Sequence, residues 1–100
     1  MSMTFTEIVE RLHTKGIKQV KFQTWVDKNN DPVLDYQEGR IAGVCAVGAL
    51  RYAFSAGWIS KKDYRDLFLV LQSAARVRGY SGLSYANDSG VSFTEIATWG

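Results

Sequence analysis

The stretch from Gly39 to Phe54 limits what this chain can fold into more than any other. It holds the only cysteine, Cys45, and its Ile41–Leu50 segment is the longest in the chain free of charged or strongly hydrogen-bonding side chains. Most of its residues are small. The larger apolar ones, Val44, Val47, Leu50 and Phe54, recur at steps of three, three and four, which is one stripe of a helix. Cys45, Gly48 and Ala49 lie beside that stripe, where small side chains let another backbone approach. The pattern predicts a central buried helix over residues 43–56.

One hundred residues make one domain around one core. With 46% hydrophobic and 13% aromatic residues the composition is that of a folded chain, and it excludes a disordered one. Twelve basic residues stand against ten acidic ones, and the first fifty positions carry six of each, so the excess of +2 lies wholly in the second half. A dedicated nucleic-acid binder has a stronger basic bias. One cysteine makes no internal disulfide, and no cluster has the spacing of a metal site, so neither metal nor cofactor is expected. The Met-Ser-Met-Thr-Phe-Thr-Glu start lacks the basic and apolar segments of a signal peptide. The Ile41–Leu50 run is too short to span a bilayer. These features point to a cytoplasmic protein with no membrane partner.

Along the chain, Thr4-Phe5-Thr6-Glu7 reads as a capping box. A helix with Phe5, Ile8, Val9 and Leu12 on its apolar face follows, ending at Lys15-Gly16. From Lys18 the period becomes two: Val20 and Phe22 alternate with polar neighbours in a short strand. Asp27-Lys28-Asn29-Asn30-Asp31-Pro32 is a turn, and Val33, Leu34 and Tyr36 return as the second strand of a hairpin. After the central helix, Ser60 caps a long helix over residues 61–78, closed by Gly79. Tyr80–Gly90 reads as a polar loop, and Ser92-Phe93-Thr94-Glu95-Ile96 opens a last short helix. The fold class expected is α+β, mainly α: three to four helices around the central one, with one short β-hairpin.

Four constellations bear on chemistry. Cys45 near a helix start has the setting that lowers a thiol's pKa, so a cysteine-dependent hydrolase with His13 as base is one alternative. Against it, Cys45 also reads as a small buried hydrophobe, and His13 as a solvated residue of a last helical turn. Asn87-Asp88 reads as a turn-and-cap pair, or as part of a binding loop with Tyr80 and Tyr85. Arg76, Arg78 and Tyr80 suit gripping an anion or stacking a base, which makes a nucleic-acid binder the weaker alternative. Lys61 and Lys62 stand at the other end of that helix, roughly 25 Å away at 1.5 Å per residue. Asp27, Asn29 and Asp31 alternate as in a calcium loop, but Pro32 occupies the place of its glycine, so no calcium site is expected.

The order Cys45-Ala46-Val47-Gly48-Ala49-Leu50, then Asn87-Asp88, then Phe93-Thr94-Glu95-Ile96 resembles a family of small bacterial and phage domains with no established activity. Its signature is roughly C-A-x-G-A-L, then W-N-D, then a threonine-glutamate-aliphatic helix start; here Tyr85-Ala86 stand where the tryptophan would be. The resemblance implies a phage accessory or host-modulating role. The residues themselves favour a non-catalytic binding protein that docks to a protein partner or holds a small anionic ligand, and leave self-association open. Trp25, Tyr36, Tyr85 and Trp99 are expected to be exposed anchors, because Trp and Tyr dominate interfaces. The expected binding set is Trp25, Tyr36, Arg76, Arg78, Tyr80, Tyr85, Asn87 and Asp88.

Overall fold

A computed structural model describes residues 3–100. Five helices, α1 (Phe5–Thr14), α2 (Ala46–Ser55), α3 (Lys61–Val77), α4 (Leu83–Asp88) and α5 (Phe93–Ala97), surround a small sheet of β1 (Lys18–Gln19), β2 (Trp25–Val26) and β3 (Gly43–Val44). The class is α+β, mainly α. No helix among the described residues is long and apolar enough to cross a membrane.

The start of α1 follows its sequence closely. Thr4 Oγ1 accepts the Glu7 amide at 3.1 Å, and Glu7 Oε1 accepts the Thr4 amide at 2.9 Å. Thr4, through its backbone amide first and its hydroxyl second, holds the Glu7 carboxyl below its ordinary range. Phe5, Ile8, Val9 and Leu12 are buried, and Gly16 takes the left-handed conformation (φ +76°) that turns the chain away. Ser60 and Ser92 cap α3 and α5 through the amides of Asp63 and Glu95.

The central helix begins at Ala46, three residues later than its periodicity suggests, because Gly43 and Val44 are used as a strand. β3 lies in the middle of the sheet, parallel to β1 (Lys18↔Gly43, Gln19↔Val44) and antiparallel to β2 (Trp25↔Val44, Val26↔Gly43). The expected hairpin is reduced to one bridge, Val26↔Pro32, beside a bond from the Val33 amide to the Trp25 carbonyl. Leu34 is fully in solvent. Pro32 has no amide to continue the ladder, and β3 already occupies the other edge of β2.

The stripe on α2 is also different from the one the spacing marks out. Ala46, Ala49, Leu50, Tyr52 and Ala53 face inward, whereas Val47 is half-buried and Phe54 lies outside, stacked on Tyr64 at 5.6 Å. Several elements crowd this helix: α1, α3 and α4 all pack against it. The small residues set the distance of approach, so they form the buried side. On α3, Leu71 and Ala75 are buried, but Leu69 and Val70 are exposed, so among the described residues no element covers its outer face. The expected loop Tyr80–Gly90 contains α4, whose Leu83 and Ala86 are fully buried; burial of these two residues outweighs the loop-forming bias of the Ser, Asn and Gly around them.

Candidate functional site

Cys45 is the N-cap of α2. Its Sγ accepts the Gly48 amide at 3.3 Å, and only 7% of the residue is exposed. Burial pushes the thiol's pKa up, the amides of Gly48 and Val47 offset this only in part, and the Asp88 carboxylate adds to the rise. Burial thus favours the neutral thiol over the thiolate.

Beside it lies a buried polar hub. Asn87 is 0% exposed, and its side chain fills all four hydrogen-bonding places. Oδ1 accepts the Ala46 amide at 3.0 Å and Gln19 Nε2 at 2.8 Å. Nδ2 donates to the Val20 carbonyl at 2.9 Å and to Asp88 Oδ1 at 3.2 Å. Gln19 continues the network, donating to the Val91 carbonyl and accepting the Phe93 amide. Asp88 Oδ1 also accepts the amide of Phe22, a residue at φ +68°. Asn87 is thus committed to internal bonds, and Ser92, rather than Asn87 or Asp88, caps the next helix. Asn87 and Asp88 tie β1, the start of α2 and the approach to α5 together. No buried polar side-chain atom among the described residues lacks a partner.

His13 is exposed on α1 and faces a groove against α5, with Val9, Glu10, Phe93 and Ala97. Cys45 is buried among other residues, at the α2 start against Thr24 and Asn87. The structure does not bring thiol and imidazole together. Native protein should accordingly alkylate slowly with iodoacetamide at neutral pH, no differently in His13→Ala, and quickly only in denaturant. Fast labelling that depends on His13 would mean the thiol is activated.

The aromatic residues form two clusters. In one, Trp25, Tyr36, Tyr52 and Trp58 follow one another at centroid distances of 6.0, 5.2 and 5.4 Å. Burial and the neighbouring Tyr36 push the Tyr52 phenol up to about 12. Trp25 is buried and Tyr36 half-buried, so neither is the exposed anchor expected from residue type. Trp25 is held by its Nε1–H bond to the Gly48 carbonyl at 2.9 Å.

The other cluster gathers the second set of expected residues at the C-terminal end of α3. Tyr80 lies 6.5 Å from Tyr85 and 6.3 Å from Trp99, and the Arg78 guanidinium sits 4.8 Å over the Trp99 ring. Trp99 is buried beneath this layer rather than exposed. Arg78 Nη1 donates to the Ala74 carbonyl at 3.0 Å, completing the helix end, and Arg76 Nε donates to the Ser81 carbonyl at 3.4 Å. Neither arginine has a carboxylate partner, since the ion pairs among the described residues are Lys15–Glu38 and Lys62–Asp66. Tyr85 is 60% exposed at the edge of this cluster, and Val77 near the end of α3 is exposed as well. Arg78, Tyr80 and Tyr85 are thus brought together around Trp99, with Arg76 at the nearby Ser81 carbonyl, while Trp25 and Tyr36 belong elsewhere.

Gln19 and Phe22 were invisible as functional or structural specialists: both sit in an alternation that explains them as ordinary strand residues. Fold and face together define a small, mainly helical α+β domain with a basic, aromatic surface. No protein-family model, curated protein or solved structure matches the chain.

Proposed function

We propose that the chain is a small non-catalytic binding domain that docks to a protein partner through the Arg76–Arg78–Tyr80–Tyr85 face. The observation that supports this reading is the pair of exposed arginines, without carboxylate partners, beside a Tyr85–Tyr80–Trp99 cluster in which Tyr80 stacks on Trp99 and Tyr85 lies tilted to Tyr80. Arg, Tyr and Trp are the residue types that anchor interfaces, and their planar groups lose little conformational freedom on contact. The partner surface is acidic, with an apolar patch to cover Val77 and the Tyr85 ring.

The test compares proteins retained from native lysate by the wild-type chain and by an Arg76→Ala/Tyr85→Ala variant, after nuclease treatment. Both positions are exposed, so the thermal midpoint should change by no more than a few degrees. A protein retained by the wild type and at least about ten-fold depleted in the variant is the expected result, corresponding to loss of an interface anchor. Equal retention by both would remove this face from the reading. Loss of all retention on nuclease treatment would transfer the arginines to nucleic-acid binding.

A further inference from the structure

A second surface, built from different residues, has three features that folding does not require. The first is Phe22. It stands at φ +68°, a conformation rare and costly for a bulky residue, and is held there by the Asp88 carboxylate on its amide at 2.8 Å. Yet its ring is 76% exposed and adds nothing to the core. The second is Leu34, 88% exposed, in the segment where the second hairpin strand fails to form.

The third is Arg51. Its guanidinium lies 5.5 Å over the Trp25 ring, and that indole is itself fixed by its bond to the Gly48 carbonyl. The arginine side-chain hydrogen bonds among the described residues are made by Arg40, Arg76 and Arg78, and no ion pair includes Arg51. A guanidinium stacked on an immobile ring has lost much of its freedom already, and its N–H fork is left without an acceptor.

Two of these features, Leu34 and Arg51, line one cleft of about 170 Å³, together with Gln23, Thr24, Trp25, Pro32 and Val33. Phe22 immediately precedes its rim at Gln23. The space suits one side chain rather than a cofactor. No carboxylate lines it, Asp35 beyond Leu34 included.

We infer that this cleft takes the carboxylate of a glutamate or aspartate from a partner protein, with the partner's flanking apolar side chains lying on Phe22 and Leu34. Charge complementarity selects the occupant: Arg51 supplies a paired-donor fork, and a carboxylate is the acceptor that fits it with two parallel bonds. The two exposed apolar residues then account for the neighbours of the acid.

The test is an NMR titration of the ¹⁵N-labelled chain with the blocked peptide acetyl-Ala-Leu-Glu-Leu-Ala-amide and its Gln counterpart. The glutamate peptide should move the Trp25 indole N–H, the Arg51 Nε–H and the amides of Gln23 and Leu34. The Gln peptide and Arg51→Gln should each weaken binding about five-fold or more, the loss of a charge-assisted pair. Phe22→Gly should weaken it similarly while leaving the thermal midpoint unchanged or higher, because glycine accepts this backbone freely. Equal binding of the two peptides, undiminished binding by either variant, shifts confined to the Arg76–Tyr85 face, or no shifts at millimolar peptide would each overturn the inference.

Discussion

An Asn87→Ala variant is expected to unfold roughly 15–25 °C below the wild type, a loss of about 3–5 kcal/mol for a domain of this size. The substitution removes four hydrogen bonds at a site with no exposure. The larger part of the cost comes from what is left behind. The buried Ala46 amide and the part-buried Val20 carbonyl lose their partner, and an uncompensated buried group costs about 1–3 kcal/mol. The Ala46 amide matters most, since a helix start has four free N–H groups and α2 supplies only Cys45 Sγ as its own cap. Asn87→Asp preserves the shape and separates the two causes. It keeps acceptors for Ala46 and Gln19, but it loses both donors and sets a second carboxylate against Asp88. Its destabilisation should approach that of alanine at pH 7. Urea or thermal unfolding followed by circular dichroism measures both. A loss below about 1 kcal/mol in Asn87→Ala would show that the hub is incidental to stability.

The same hub shows where sequence reading stops. The ends of α1 and α3 were legible because Thr4, Glu7, Ser60, Gly16 and Gly79 act through backbone groups three or four residues away. Local chemistry decides such ends, so a local pattern announces them. Asn87 works across 41 residues to Ala46 and across 68 to Gln19. Nothing next to it in the sequence distinguishes that role from an ordinary turn asparagine. The sheet was legible only in part, at the Lys18 start of β1 and the turn before Pro32, for a related reason. Each strand has two residues, too few for an alternation to register, and β3 was hidden inside an apolar run that also fits a helix.

Burial was misread where residue type stood in for position. Trp25 and Trp99 look like interface anchors by type, but each lies beneath an arginine stacked on its ring, and the arginine is what faces solvent. Arg78, Tyr80 and Tyr85 lie close because the connection from α3 to α4 is short and Trp99 packs against it. Phe22 escaped notice in the opposite way. As an apolar member of an alternation it belongs inside, and only its positive φ shows why it points outward.

Gly48→Ala should be among the most damaging single substitutions available in this chain, with a loss of about 3 kcal/mol or more and possible only with movement of α2. Helix propensity predicts the reverse. Gly48 lies within α2, where alanine is favoured over glycine by about 1 kcal/mol. Sterics decide the sign. A Cβ at position 48 would stand 2.0 Å from the Thr24 carbonyl oxygen and 2.9 Å from its carbon, both backbone atoms that cannot swing aside. That oxygen also accepts the Cys45 amide at 3.2 Å, so moving it breaks a bond at the helix start. The Gly48 amide and carbonyl are engaged as well, with Cys45 Sγ and Trp25 Nε1. Shifting the helix would therefore disturb the cap, the indole and the Thr24 segment together. Gly16→Ala is the informative comparison: there φ is +76° but nothing lies within 4 Å, so only backbone strain of about 1 kcal/mol applies. Chemical unfolding of the two variants should rank Gly48→Ala well below Gly16→Ala. The reverse order, or a Gly48→Ala protein as stable as the wild type, would mean that α2 and the Thr24 carbonyl do not approach so closely in solution.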